Sequence, residues 1–179
     1  MTIVIYKSIY GSTKRYAHWL AKELNCRAVN LKENKQINLE EFDTIILGGG
    51  LYAGGILGSS SLKKQWDSLK DKKIVVFTVG LADPKTTNYQ KIKDMCFNSE
   101  QQKNISFFHL RGSCNYSKLT LIHRLMMAML KWITKRKKET EMTEEDKHFL
   151  ATYGKKVSFE DRKTLQPIVE YVTRSALPM

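Results

Sequence analysis

A chain that alternates short, continuously apolar runs with segments of helical spacing has few ways to fold, and this one does so along most of its length. Residues 2–6 are apolar and β-branched; after the turn at 7–11, Tyr16, Trp19, Leu20 and Leu24 recur at the spacing of one helix face. The unit then repeats. A short strand is predicted at 27–31, a longer apolar one at 44–47 ending in Gly48-Gly49-Gly50, and a helix at 61–69. A strand at 73–79 ends at Gly80, a helix follows Pro84 through Tyr89, Ile92 and Met95, and a fifth strand at 105–110 ends at Gly112. Strands that read as continuous apolar runs are covered on both faces, which is the condition of a parallel sheet sandwiched by helices. The predicted class is therefore α/β, doubly wound. A closing helix at 164–174, carrying Leu165, Ile168, Val169 and Val172, completes it provided that Pro167 lies in the first turn, where its missing N–H costs nothing.

The 179 residues are expected to form a single domain, with 113–157 as an insertion that a minimal five-strand fold does not need. No stretch approaches the roughly 20 consecutive apolar residues of a membrane span, and residues 1–6 read as a first strand and not as a secretion signal, so the expected location is cytoplasmic. Cys26, Cys96 and Cys114 form no C-x-x-C pair and meet no His cluster; reduced thiols and no metal site are expected. The net charge of +12 is unevenly spread, because 111–138 holds eight Lys or Arg and no acid, and is followed by Glu139, Glu141, Glu144, Glu145 and Asp146. No zinc-finger spacing, basic zipper or RNA-binding aromatic signature accompanies that charge, so nucleic acid is not expected as a partner.

Ligands of an open parallel sheet bind beyond the carboxyl ends of the strands, where strand order reverses. The loop Ser8-Ile9-Tyr10-Gly11-Ser12-Thr13 joins the first strand to the first helix and combines hydroxyls, a permissive glycine and the unpaired N–H groups of a helix start, which together make an anion cradle. It has neither the Lys of a P-loop nor G-x-G-x-x-G, so ATP and NAD fit poorly. Taken alone it equally reads as an ordinary N-cap with a tight turn. The segments 48–55 and 78–83 are glycine-rich and carry Leu51, Tyr52 and Leu81, so backbone can approach the edge of a flat ring while side chains stack on its faces; a strand end without ligand is the plainer reading of each.

With these loops the chain resembles the flavodoxin family over 2–110 and the closing helix. The resemblance implies a flavodoxin-like three-layer sandwich, with a five-stranded parallel sheet of order 2-1-3-4-5, and FMN as cofactor. It implies that Ser8, Tyr10, Gly11, Ser12 and Thr13 hold the phosphate and that Leu51, Tyr52, Ala53, Gly54, Val79, Gly80 and Leu81 frame the ring. Tyr10 stands where the commonest pattern has Thr. The function expected is electron transfer or flavin-dependent oxidoreduction with a protein or quinone as redox partner. No catalytic side chain is identified, since the cofactor carries the chemistry and His18, His109, His123 and His148 are scattered singly.

Ordinary flavodoxins have nothing like 111–138. Here Ile122, Leu125, Met126, Met129, Leu130 and Ile133 follow helical spacing on one side, with Trp132 at the edge and Arg124, Lys131 and Lys135 on the other. Two readings are open: a helix packed on the domain with a solvated charged face, or a surface helix that docks on anionic lipid or an acidic partner. The segment is similar in character to the insertion of menaquinone-dependent protoporphyrinogen oxidases, which implies an alternative function in haem biosynthesis and a peripheral position at the inner membrane face. A flavin-free interaction module that kept the fold is the remaining alternative.

Overall fold

The computed structural model describes residues 1–34, 37–52, 55–84 and 89–174. Its strands are β1 (Thr2–Lys7), β2 (Arg27–Asn30), β3 (Thr44–Tyr52), β4 (Gly55–Ile56), β5 (Lys73–Gly80), β6 (Ile105–Arg111), β7 (Ser113–Asn115) and β8 (Lys156–Ser158). Its helices are α1 (Ser12–Glu23), α2 (Ser59–Lys64), α3 (Trp66–Leu69), α4 (Gln90–Cys96), α5 (Ser99–Lys103), α6 (Leu121–Lys135), α7 (Glu144–Thr152) and α8 (Gln166–Arg174). The main sheet runs β2-β1-β3-β5-β6, all parallel, with β4 added antiparallel to β3. Counting only the parallel strands, this is the expected order 2-1-3-4-5.

Alternate residues of the central strands point to opposite faces, and both faces are buried. Ile3, Ile5, Ile45, Leu47, Ile74 and Val76 meet Leu62 of α2, Leu69 of α3 and Phe97 on one side. Val4, Ile46, Val75 and Phe77 meet Tyr16, Ala17 and Leu20 of α1 and Ile168 and Val172 of α8 on the other. Pro167 is the second residue of α8, so the closing helix forms as expected; residues 162–165 ahead of it make a 3-10 turn.

The elements differ from expectation in four places. The helix expected at 61–69 is broken at Gln65, whose side chain instead holds the 37–39 backbone, accepting from Leu39 N at 3.1 Å and donating to Ile37 O at 3.1 Å. The strand expected to end at Leu47 continues through the glycines to Tyr52 and turns back as β4. Its glycines are packing residues: a Cβ on Gly48 would lie 2.3 Å from Phe77 Cζ, and one on Gly49 2.4 Å from Ile56 Cγ2. The short helix α5 was not foreseen, although Asn98 and Gln101 form a capping box at its start. The helix expected after Pro84 begins, among the described residues, at Gln90.

The excursion after β6 opens with β7 and closes with β8, which pair antiparallel with Cys114 opposite Val157. Between them lie α6 and α7, bound at their adjoining ends by the Lys137 to Asp146 ion pair at 2.7 Å. No helix among the described residues is long and apolar enough to cross a membrane.

Candidate functional site

The chain order reverses at β1, which has β2 on one flank and β3 on the other, so the carboxyl ends of β1 and β3 open a crevice. Loop 8–11 joins β1 to α1 at this end of the sheet. Ser8 Oγ accepts from Gly11 N at 3.1 Å and closes the loop, and Gly11 takes φ +99°, a conformation that favours glycine, immediately before α1. No side chain caps α1, and no acid stands in its first turn. The opening N–H groups of a helix have no intrahelical partner, so this uncapped end concentrates donors and partial positive charge at the crevice.

The predicted phosphate residues divide here. Thr13 is buried, and its hydroxyl faces the end of β3, where a Cβ on Gly50 would come within 3.5 Å of Oγ1. The Ser12 hydroxyl is engaged by the loop after β6: Oγ accepts from Ser113 N at 3.1 Å and shares a 3.0 Å hydrogen bond with Ser113 Oγ. Tyr10 reaches outward, where its hydroxyl bonds His123 Nδ1 on α6 and accepts from Thr120 N at 3.4 Å.

The predicted ring residues lie on the neighbouring strand ends. Leu51 and Tyr52 close β3, Gly80 closes β5 and Leu81 follows it. A Cβ on Gly80 would sit 3.1 Å from Leu51 Cδ1 and 3.2 Å from His109 Cε1, so this glycine lets the two strand ends come together. The Val79 side chain, predicted for the ring, instead turns into the core, where a Cβ on Gly112 would lie 2.8 Å from its Cγ1. Ala53 and Gly54, also predicted for the ring, lie outside the described residues.

Several residues at this edge escaped the sequence reading. Arg15 forms a two-pronged ion pair with Glu160, and Ser113 Oγ donates to the same carboxylate at 2.7 Å. Burial would raise the Glu160 pKa, but the Arg15 guanidinium and the serine hydroxyls outweigh it and hold the carboxyl at about 2. Tyr16 Oη donates to Arg111 O at 2.8 Å and accepts from Asp161 N at 3.0 Å, so the segment returning from β8 is fastened beside the crevice. His109 shares a 2.7 Å hydrogen bond with Thr78 Oγ1 and stacks on Tyr89 at 4.2 Å between centroids; burial lowers its pKa to about 4 and keeps it neutral near pH 7. Among the described residues no group of His, Cys, Asp and Glu could hold a metal ion.

Residues 3–141 match the flavodoxin domain family. The chain belongs to it. No curated protein matches the chain significantly. Among solved structures, this flavodoxin domain is similar to a WrbA-like flavodoxin of Agrobacterium tumefaciens at 21% identity, covering 59% of this chain and 74% of that one with a TM-score of 0.46. It is also similar to a Trp repressor binding protein of Bacillus subtilis at 18% identity, covering 63% and 83% with a TM-score of 0.45. A flavoprotein of Lactobacillus acidophilus solved in complex with FMN shares 15% identity over 62% and 91% of the two chains, with a TM-score of 0.37.

In this flavodoxin domain the insertion reaches the first loop and the end of β3. Tyr52 stands with its ring centroid 4.6 Å from that of His123, and its hydroxyl donates to Met126 Sδ at 3.5 Å. His123 thus touches both the first loop, through Tyr10, and the end of β3, through Tyr52.

Proposed function

We propose that this flavodoxin domain binds FMN and serves as a flavin-dependent redox protein in electron transfer or oxidoreduction. The observation that carries the reading is the head of α1, an uncapped helix start preceded by left-handed Gly11 at the carboxyl end of a parallel strand. Such an end favours a dianionic terminal phosphate. The donor set fits that group: the first-turn N–H groups, the Ser8 and Thr13 hydroxyls, and no carboxylate in the turn. Glu160, whose carboxylate contacts Ser12 at this end of α1, is paired with Arg15. Leu51, Tyr52, Gly80 and Leu81 lie on the strand ends that would frame a flat ring, with Ala53 and Gly54 joining them in sequence. Bound FMN would supply one- and two-electron chemistry; the chain supplies its position and electrostatics.

Absorbance tests this. The purified protein, or the apoprotein after addition of FMN, is expected to show the two visible bands of a bound flavin. A colourless chain that takes up no FMN would leave the flavin-free interaction module.

A menaquinone-dependent protoporphyrinogen oxidase acting at a membrane surface is the second reading. It is favoured by one feature, the basic helix α6 placed against Tyr10 and Tyr52. Quinone-dependent oxidation of protoporphyrinogen by the flavin-loaded protein would support it, and its absence would return the chain to the broader redox role.

A further inference from the structure

Helix α6 is turned the opposite way from a packed helix. Leu121, Ile122 and Leu125 are 81%, 69% and 73% exposed, and Met129, Trp132 and Ile133 are exposed with them. At 100° per residue these six side chains occupy one arc of about 120°, and Leu130, also exposed, lies about 60° beyond it. The side turned inward carries His123, Met126 and the buried Thr134. Arg124 and Lys135, both exposed, fall on one margin of the arc, and the guanidinium of Arg136 lies 3.6 Å over the ring of Trp132. Residues 111–138 contain no acidic side chain, and Asp146 of α7 pairs with Lys137, two residues past the end of α6. An exposed apolar arc with a cationic margin and an indole at its edge complements an interface that is apolar inside and anionic at its surface.

We propose that α6 docks this flavodoxin domain on an anionic lipid bilayer through the arc of Ile122, Leu125 and Met129, and that His123, on the opposite side of the same helix, is the positioning residue that couples docking to the cofactor loops. The coupling follows from the contacts. Any shift of α6 on docking moves His123 and Met126, and with them Tyr10 of the first loop and Tyr52 of β3. The coupling rests on the FMN reading; the docking does not. Linkage makes it reciprocal: the factor by which vesicles change FMN affinity equals the factor by which FMN changes vesicle affinity.

Co-sedimentation of the apoprotein with phosphatidylglycerol and phosphatidylcholine vesicles tests docking first. The expected result is binding to the anionic vesicles at low salt, release as salt rises, and at least about tenfold weaker binding for the Ile122→Asp/Leu125→Asp variant, with an unchanged circular dichroism spectrum. Equal binding to both lipids, or binding to polyglutamate and to neither vesicle, would overturn the docking, the latter in favour of an acidic protein. FMN titration with and without phosphatidylglycerol vesicles then tests the coupling. A vesicle-dependent FMN affinity is expected in the unaltered protein and is expected to vanish in His123→Ala, which should still dock. An FMN affinity indifferent to vesicles would overturn the coupling. Arc-dependent docking by a chain that never binds FMN would instead overturn the cofactor reading, with the docking upheld.

Discussion

Helices α1 and α6 are both amphipathic, yet they meet opposite fates. The apolar side of α1, Tyr16, Ala17, Leu20 and Ala21, is buried against the sheet, whereas Leu121, Ile122 and Leu125 of α6 stand in water. Amphipathicity shows that a helix has an apolar face and not what covers it. In α1 the cover is β1, β3 and α8, so the face stabilises the fold; in α6 nothing in the described chain covers the arc, so the face contributes little to stability and is free to meet a partner.

The sharpest way to break this contrast is to remove the same atoms from both helices. Leu20→Ala opens a cavity in a fully buried cluster and should cost about 3–5 kcal/mol in a denaturant titration. A second test stays within the sheet. His109 has its pKa lowered from 6.5 to about 4, so the unfolded chain takes up a proton at a higher pH than the folded one. Its stabilising effect is complete above pH 6.5 and declines as pH falls toward 4, by about 3 kcal/mol over the whole window. Stability measured against pH in His109→Gln should lose that slope.

The join between the two regions should respond less. Glu160, at about 2 beside Arg15, contributes fully above its ordinary range near 4.5, and that contribution is lost as pH falls through 2. Arg15 is half-exposed, which weakens the pair, so Glu160→Gln should cost about 1–2 kcal/mol at pH 7. Its acid unfolding curve should shift below pH 4.5 and leave the His109 window intact. Leu125→Ala completes the comparison with Leu20: at an exposed position the change should stay within about 0.5 kcal/mol. A loss as large as that at Leu20 would mean that the arc is covered.

The sheet and its order were legible because their signal is local: apolar runs, turns and helical spacing lie within a dozen residues of one another. Where the signal is remote, reading failed. The helix expected at 61–69 breaks at Gln65, whose side chain bonds Ile37 and Leu39 far back in the chain, and Gly48 looks like a turn glycine until Phe77 is packed against it. The first loop was visible as Ser8 to Thr13. What it touches was not, since Ser12 meets Ser113, Arg15 meets Glu160 and Tyr10 meets His123 across more than 95 residues. A lone histidine on an amphipathic helix carries no sequence signal of that contact. The existence of α6 followed from its spacing, but the outward turn of its arc depends on which side His123 and Met126 anchor.

The central claim is that the uncapped head of α1 holds the phosphate of FMN. Its most direct test is to titrate the apoprotein with FMN and with riboflavin, which carries the same ring without the phosphate. With charge-assisted hydrogen bonds at roughly 1.5–3 kcal/mol each, FMN should bind at least about a hundredfold more tightly, and Thr13→Ala should narrow the gap by lowering FMN affinity alone. Equal affinities for the two ligands, or a gap that Thr13→Ala leaves unchanged, would contradict the account.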